Sequence, residues 1–595
     1  MQCKFHSCFR VFFIFAFRWL ALASWMALST LPSLAQSAPA SGLGWDGHLV
    51  WVQPFENNSA QPGLDWIGSS FPDIMNQRLT SAGFLTIHRE DRRYALKHLG
   101  LPSDFHPTQA TTYRIAQTLD ADYVIFGNYT VVSGQITATA RVLEMYGPRM
   151  EAMLEVKGNL DQLIPLENEL AWKVAMQIEP SLHLDEQTFL AASQGLRLDA
   201  FENYIRGEVE PGIEERISHL TKAVQLSPNY TQAWLELGKA YFANQQYEQA
   251  VVPLSKVPMG SRYALEAQFY AGLSYLYTGN YAKAQTEFSS IASVLPMPEV
   301  LNNEGIAINR RGQNGTALFQ RVVQLNPQNP DYWFNLAVSE RRTKNYTAAL
   351  KSISQSLVLR PQDEEAQGLR KNLIMLKDGP IAVAAEPVSA TQKNVSTVKA
   401  PAASTPSIDK SSIDKPETNT PASGASSSAT AGVSATSPDY EPLERIARSY
   451  DESAFRQAAF AMEQMNAMKL HSMAPDARAT LLCQQGNAYV NDGLLLEAQR
   501  EFQLALASDP QSAAAFAGLA QIHEYVGSPT MAQQEANQSI NIQPNVAAYL
   551  VLARLALAQH SLPIAQQNVE HALQIDPKNS AAKGIQQAIQ SQLGK

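Results

Sequence analysis

The chain has 595 residues, of which 45% are hydrophobic, and this is enough to build several folded domains. Lysine and arginine total 46 against 55 aspartate and glutamate residues, so the formal net charge is −9. This balance excludes a dedicated nucleic-acid-binding protein, because such a protein needs a basic face to displace counterions from phosphates.

The first 35 residues have the features of an export signal. Arg10 and Arg18 supply positive charge around apolar runs, and the small residues Ser33 and Ala35 frame a cleavage site. We therefore predict a signal peptide over residues 1–35 and a periplasmic or secreted location in a bacterial cell envelope. An uncleaved signal is the alternative and would be the one route to membrane attachment, although Arg18 interrupts the apolar run.

Residues 46–180 follow the order expected of an α/β domain. Strands are predicted at residues 48–52, 84–87, 123–127 and 150–156, with a hairpin around Ser133 and Gly134, and helices at residues 65–81, 111–119 and 160–178. The run at 123–127 is apolar throughout, which is typical of a strand covered on both faces. Residues 88–91 are interpreted as a charged surface turn.

Four short stretches of this domain carry a family resemblance. They are residues 52–57 (VQPFEN), 66–68 (WIG), 115–117 (IAQ) and 121–129 (ADYVIFGNY). In this pattern the region resembles the TolB amino-terminal-like domain and, more distantly, the CsgG and FlgO type of envelope domain. The resemblance implies a periplasmic, non-catalytic interaction domain and transfers no catalytic residue.

A period of 34 residues dominates the chain from about residue 198. Gly238 and Ala250 recur 34 positions later as Gly272 and Ala284, within units that end in proline. Small residues let two helices of a hairpin approach each other, and the proline ends the second helix. The pattern resembles the tetratricopeptide repeat family and implies an array of about five hairpins over residues 198–377.

One unit of this array, residues 302–327, departs from the pattern. Gly305 and Pro327 are 22 positions apart, whereas Gly272 and Pro296 are 24 apart. We predict that the turn between the two helices of this unit is shortened.

The composition changes at residues 378–439, which contain no aromatic residue and are rich in Ser, Thr, Ala and Pro. Such a segment buries too little apolar surface to fold, so it is predicted to be a disordered linker. The repeat period returns in residues 440–595, with a degenerate hairpin predicted at 444–470 and a polar cap helix at the end. The predicted fold is thus an α/β N-terminal domain followed by two all-α solenoid arrays.

No motif of the chain predicts catalysis, a cofactor or a metal. The glycines at 42, 44 and 47 match a dinucleotide pattern, but they precede a strand instead of following one. Ser407 and Lys410 have the spacing of a nucleophile pair, but they lie in the predicted linker. We therefore predict no catalytic, cofactor-binding or metal-binding residue, no cofactor and no enzyme activity.

The repeat resemblance does imply a peptide-binding surface. In the family, set positions of the first helix of each unit face the concave side of the array, and here these positions include Lys239, Phe242, Phe269, Leu273, Tyr277, Asn302, Asn309, Arg310, Phe334, Arg341 and Arg342. Arginine grips a carboxylate with two hydrogen bonds, and aromatic rings hold an apolar anchor. We predict a protein or peptide partner with an acidic element; the alternative is that the arginines form a solvated face.

The function predicted from these features is that of a non-enzymatic exported scaffold for protein–protein interactions. Two alternatives remain open at this point. The α/β domain is a divergent hydrolase or nucleotide-binding module for which the repeats recruit substrate, or the chain is a periplasmic sensor or regulator.

Overall fold

The structure is a computed structural model that describes residues 48–102, 108–182, 185–191, 196–378, 440–450, 470, 472–491 and 493–593. The predicted signal peptide, the glycines at 42–47 and the pair Ser407 and Lys410 lie outside the described residues. The predicted linker also lies outside them, apart from its first residue.

Within the described residues, seven strands form one mixed sheet. They are β1 (Leu49–Val52), β2 (Glu56–Asn57), β3 (Leu85–Thr86), β4 (Tyr123–Val132), β5 (Gln135–Glu144), β6 (Arg149–Met150) and β7 (Leu154–Asn159). The central order is β3-β1-β4-β5-β6, with β2 also paired to β4 and β7 to β5. Strand β1 is parallel to β3 and β4, whereas β4 and β5 form an antiparallel hairpin through Ser133 and Gly134.

Helices cover both faces of the sheet. On one face lie α1 (Trp66–Ser81) and α4 (Leu163–Ile178), and on the other lie α2 (Arg89–His98) and α3 (Gln109–Thr118). The alternation of β1 divides its side chains between these layers: Val50 and Val52 enter the core beneath α1 and α4, and Trp51 enters the opposite core. Burial on both faces explains the apolar run in β4.

Helix α2 corrects the prediction of a surface turn at residues 88–91. The backbone N–H of His88 donates to Asp91 Oδ2 at 2.9 Å, so these residues begin a helix. Ala95 and Leu96 are its buried positions within the described residues. The stretch 88–93 is charged throughout, and this hid a helix that buries little apolar surface.

The rest of the described chain is helical. The helices are α5 (Glu186–Ala191), α6 (Leu198–Val209), α7 (Ile213–Leu226), α8 (Thr231–Ala243), α9 (Tyr247–Leu254), α10 (Ala264–Tyr277), α11 (Tyr281–Val294), α12 (Pro298–Arg310), α13 (Thr316–Leu325), α14 (Pro330–Arg342), α15 (Tyr346–Leu359), α16 (Glu364–Asp378), α17 (Pro475–Asn491), α18 (Leu495–Ser508), α19 (Ala513–Tyr525), α20 (Pro529–Ile542), α21 (Val546–Ala558), α22 (Leu562–Ile575) and α23 (Ser580–Leu593). Pairs α6/α7 to α14/α15 are the hairpins of the first array, and pairs α17/α18 to α21/α22 are those of the second. An α/β domain followed by helical arrays confirms the predicted fold class.

The hairpin α12/α13 shows where the two missing residues belong. The connection between its helices, residues 311–315, is longer than the connection at residues 278–280 in the preceding hairpin. Helix α13 has 10 residues, whereas α11 has 14. The prediction of a shortened turn is therefore wrong: the second helix loses its first turn instead.

The α/β domain and the first hairpins share one hydrophobic core. Phe201, Tyr204 and Leu220 of α6 and α7 belong to the same buried cluster as Phe71 and Leu170 of the α/β domain. The second array also returns to this core. Leu496 of α18 is buried in it, and the neighbouring Glu497 accepts hydrogen bonds from Ser81 and Arg262, both at 2.9 Å.

A polar cluster lies at the same junction. Tyr204 and Gln232 donate to Asp73 Oδ1 at 3.3 and 3.1 Å, and Gln77 donates to Asp73 Oδ2 at 3.1 Å. Burial raises the pKa of Asp73 to about 6, and the hydrogen bonds from Gln232 and Tyr204 offset part of that rise. Burial also raises the pKa of the nearby Glu167 well above its usual range.

The raised pKa of Asp73 predicts a pH-dependent stability. Because the folded state holds this proton more tightly than the unfolded state, the stabilising contribution is present below about pH 4 and is lost as the pH rises through about 6. The unfolding free energy of the wild-type chain should fall between pH 4 and 7, and Asp73→Asn should make that fall about 2 kcal/mol smaller. Urea unfolding across this range tests it. The exposed Asp161→Asn is the control. If the unfolding free energies of both variants depend equally on pH, Asp73 is not the group responsible.

Close helix contacts at glycine predict a second effect on stability. A Cβ at Gly518 would overlap the ring of Phe502, which is fully buried, whereas a Cβ at Gly584 in α23 meets nothing within 4 Å. We expect Gly518→Ala to lower the free energy of unfolding by about 1–3 kcal/mol. Gly584→Ala, the control, should be neutral or raise it by up to about 1 kcal/mol. Urea unfolding followed by circular dichroism measures both, and equal stability of the two variants would refute the packing argument.

Candidate functional site

Residues 440–450, called here the resident segment, lie in the concave groove of the first array. They contain no helix or strand and contact α10, α12, α14 and α16. This placement differs from the prediction that the second array begins at residue 440 with a hairpin over 444–470. Residues 451–469 lie outside the described part of the chain. The physical reason is charge complementarity between the segment and the groove, which sequence periodicity does not contain.

Two buried asparagines hold the backbone of the resident segment. Asn335 accepts from the N–H of Arg445 at 2.7 Å and donates to its carbonyl oxygen at 2.8 Å. Asn303 accepts from the N–H of Ala447 at 3.0 Å and donates to its carbonyl oxygen at 2.9 Å. Asn302 donates a further bond to the Arg445 carbonyl at 3.1 Å. Each clamp satisfies both polar groups of one residue, so the backbone is bound independently of side-chain identity.

Glu444 occupies a basic pocket of the groove. Its side chain is fully buried and lies 3.4 Å from Arg310 Nε and 3.3 Å from Arg342 Nη2. Asn309 Nδ2 also donates to this carboxylate at 3.2 Å. A buried carboxylate needs such partners because an unpaired buried charge is strongly destabilising.

Arg445, the next residue, occupies an acidic pocket. Its guanidinium donates to both oxygens of Asp363, at 2.6 and 2.8 Å, and forms ion pairs with Asp331 at 2.7 Å and Glu365 at 3.0 Å. The guanidinium also lies 3.8 Å from the ring centroid of Phe334, a cation–π contact.

The pKa values of this pocket reflect the pairing. Burial alone would lower the pKa of Arg445, but the hydrogen bonds that it donates to Asp363 and Asp331 raise its pKa above the usual value. Burial would likewise raise the pKa of Asp363, yet the hydrogen bonds from Arg445 leave it below its usual value. Both groups therefore stay charged.

The far end of the resident segment meets aromatic side chains. Tyr450 packs edge-on against Phe269, with ring centroids 5.0 Å apart. The Arg448 guanidinium lies 5.4 Å from the ring centroid of Tyr277. Ile446 packs on the same hydrophobic cluster. The aromatic half of the groove thus holds Ile446, Arg448 and Tyr450, and the polar half holds Glu444 and Arg445.

Eight of the eleven residues predicted to face the peptide contact the resident segment: Phe269, Tyr277, Asn302, Asn309, Arg310, Phe334, Arg341 and Arg342. Arg341 does so through the carbonyl oxygen of Tyr440. The structure places the other three differently. Lys239 forms ion pairs with Glu236 at 2.8 Å and Glu266 at 2.9 Å, Phe242 is buried among tyrosine rings, and Leu273 is fully buried in the hydrophobic core. Binding of an external peptide by these residues stays a prediction.

Sequence reasoning missed the two clamps and the acidic pocket. Asn303, Asn335 and Asp363 were not among the predicted site residues, although Asn303 and Asn335 are fully buried. An amide within the buried stripe of a helix was the available signal, because buried polar groups require partners. The acidic pocket gave no such signal, since acidic residues at helix starts are ordinary.

The described residues contain neither a cluster of metal-ligating side chains nor a helix that could cross a membrane. No group of three or more His, Cys, Asp or Glu side chains there could hold a metal ion. Nor is any helix of that part of the chain both long and apolar enough to span a bilayer.

The comparison with protein families identifies the repeats. The tetratricopeptide repeat family matches residues 309–364, which span α13 to α15 and include Phe334, Arg341 and Arg342. The chain carries tetratricopeptide repeats. Proteins with these repeats generally mediate protein–protein interactions and are typically non-enzymatic scaffolds.

Two curated proteins with sequence similarity are the Cell division cycle protein 16 homologs of Homo sapiens and Mus musculus, each 27% identical over 157 residues. The match covers 24% of this chain and 25% of each relative, so the chain spans about a quarter of the length of the curated relatives it matches.

Three solved structures are similar to parts of this chain. YrrB, described as a tetratricopeptide repeat protein with an unusual peptide-binding site, is 15% identical and matches 34% of this chain and 98% of its own, with a TM-score of 0.27. MamA from RS-1 is 20% identical over 28% of this chain and 98% of its own, with a TM-score of 0.27. The LpoB C-terminal domain from Salmonella enterica is 13% identical and matches 19% of this chain and 83% of its own, with a TM-score of 0.18. The TolB-like character of the α/β domain stays a prediction.

The clamps predict a local change in amide exchange. Removal of the Asn335 side chain leaves the Arg445 N–H without its acceptor, so Asn335→Ala should speed hydrogen exchange at Arg445 at least tenfold. Asn303→Ala should do the same at Ala447. Hydrogen exchange by mass spectrometry measures both. Asn541→Ala, an exposed change in α20, is the control, and equal exchange in all three variants would show that the asparagines do not hold the segment.

Proposed function

We propose that this chain is a non-enzymatic exported scaffold that binds partner proteins in the bacterial cell envelope, and that the groove of the first array is the binding site. The observation that carries the proposal is the pair of asparagine clamps. Asn303 and Asn335 bind backbone groups that every polypeptide has, so the groove is built to take an extended chain.

The position of the resident segment supports the same proposal. It lies across helices α10 to α16, which belong to successive repeats. A partner in the same place would contact several repeats at once. The groove residues predicted from the sequence, including Lys239 and Phe242 at its edge, are the proposed contact surface.

Export is a separate part of the proposal and rests on the sequence of residues 1–35. Its test is fractionation of the bacterium that makes the protein, followed by sequencing of the mature N-terminus. A periplasmic or secreted product beginning near Gln36 is expected, and a cytoplasmic product that retains Met1 would refute export.

Peptide binding is tested with a chain whose groove is open. Arg445→Glu places a carboxylate among Asp331, Asp363 and Glu365, so it should release the resident segment without altering the groove. A fluorescent peptide with the sequence of residues 440–450 should then bind this full-length variant, as measured by anisotropy. Adding Asn303→Ala and Asn335→Ala should weaken binding at least tenfold.

The control for this experiment is the Asn541→Ala change in the same opened chain. It removes an exposed amide of the second array and should leave peptide affinity unchanged. If the peptide does not bind the opened chain at all, or binds equally well without the two clamps, the groove is not a peptide-binding site.

A further inference from the structure

We propose that the groove selects partner proteins that present, in an extended stretch, an acidic residue immediately followed by arginine. The inference rests on the proposed function and names the class of partner. It starts from the two pockets that hold Glu444 and Arg445, which are adjacent in space and opposite in charge.

Both pockets are formed by the array itself. Arg310, Arg342 and Asn309 come from α12 and α14, and they converge on one carboxylate. Asp331 and Asp363 stand at the starts of α14 and α16, and both pair with the Arg445 guanidinium. Arg360 of the array also pairs with them, at 2.8 and 3.5 Å, so together with Glu365 the pocket sets three carboxylates against one guanidinium of its own and keeps a net negative charge. Like charges brought this close repel one another, so each pocket favours an occupant of the opposite charge.

The clamps fix the position of the bound backbone relative to the two pockets. Asn335 binds both the N–H and the carbonyl oxygen of Arg445, and Asn303 does so for Ala447, two residues later. Whatever residue Asn335 holds therefore meets the acidic pocket, and the residue before it meets the basic pocket. With the register set, the order of the two charges is read as well: acid first, arginine second.

Neighbouring positions are less restricted. The Leu443 side chain, one residue before the acid, is 44% exposed, and Glu441, Arg448 and Ser449 are also exposed. Pro442 is buried beside the clamped region, and Tyr450 packs on Phe269. The selective feature is thus the acid–arginine pair, with an aromatic residue five positions after the arginine as a secondary anchor.

The resident segment meets this description, so it competes with a partner for the groove. A partner with the same pair has to displace it, and weakening the resident segment should strengthen partner binding. Wild-type chain should accordingly bind an added acid–arginine peptide at least tenfold more weakly than the chain with Arg445→Glu.

The experiment uses fluorescence anisotropy with the full-length Arg445→Glu chain and three labelled peptides. The first has the sequence of residues 440–450, the second has its Glu–Arg pair reversed, and the third carries Leu443→Ser as the control. We expect the reversed peptide to bind at least a hundredfold more weakly than the first. The Leu443→Ser peptide should bind within about threefold of it, because that side chain is largely exposed.

A second groove variant shows whether a change in affinity comes from the charge of the pocket or from a loss of folding. Adding Arg342→Glu to the opened chain makes the basic pocket nearly neutral, so a peptide with Glu444→Arg should gain affinity relative to the first peptide. The Glu444→Ala chain, which loses the buried carboxylate instead of the arginine, is the second opened chain and should give the same ranking of peptides.

The outcomes distinguish the two proposals. If the first and reversed peptides bind equally well, the groove binds peptides but does not read the pair, and the present inference is wrong while the proposed function stands. If none of the peptides binds either opened chain, the proposed function fails and the inference fails with it. If wild-type and opened chains bind the first peptide equally, the groove is not where the pair is read.

Discussion

The close approach of two helices within each hairpin is the constraint on which the rest of the arrays depends. At Gly272, Gly305 and Gly486 an added Cβ would lie only 2.7–2.8 Å from the ring of Phe288, Phe319 or Phe502. Those rings are fully buried and fill the space that the missing side chain leaves. Because each hairpin is this thin, the hairpins stack in a regular way and the first helices line one concave surface.

That surface carries polar residues where a packed interior would carry apolar ones. Asn302, Asn303 and Asn335 are fully buried, and all three hydrogen-bond to the backbone of the resident segment. Asn335 also donates to Asn302 at 2.8 Å, and Asn302 donates to Asn303 at 3.2 Å, while the flanking charges of Arg310 and Asp363 pair with single side chains of the segment. The groove thus holds the resident segment both through its backbone and through the charges of Glu444 and Arg445.

The two ends of the first array have different roles. At its beginning, α6 and α7 complete the core of the α/β domain, and Leu496 of the second array enters the same core. At its end, α14 and α16 supply the acidic pocket and the contact of Arg341 with the resident segment. The hydrophobic surface therefore joins the domains, and the polar surface at the other end holds the resident segment.

The sequence by itself determined the classes of structure and their order. The 34-residue period indicated helical hairpins, because Gly238 and Gly272 recur at that spacing together with large partner side chains, Leu254 and Phe288. The continuous apolar run at the start of β4 predicted a strand covered on both faces. These features are local, and a local pattern is visible in the order of residues.

Only the tertiary structure decided what fills the groove. The contact of Glu444 with Arg310 joins residues 134 positions apart, and that of Arg445 with Asp331 joins residues 114 apart. No periodicity connects such residues, since the pairing depends on how the array curves and on where the chain returns. The helix at Arg89–His98 and the shortened α13 were missed for other reasons. The first begins in a charged stretch with little apolar periodicity, and the repeat spacing alone does not show whether two missing residues come from a turn or from a helix.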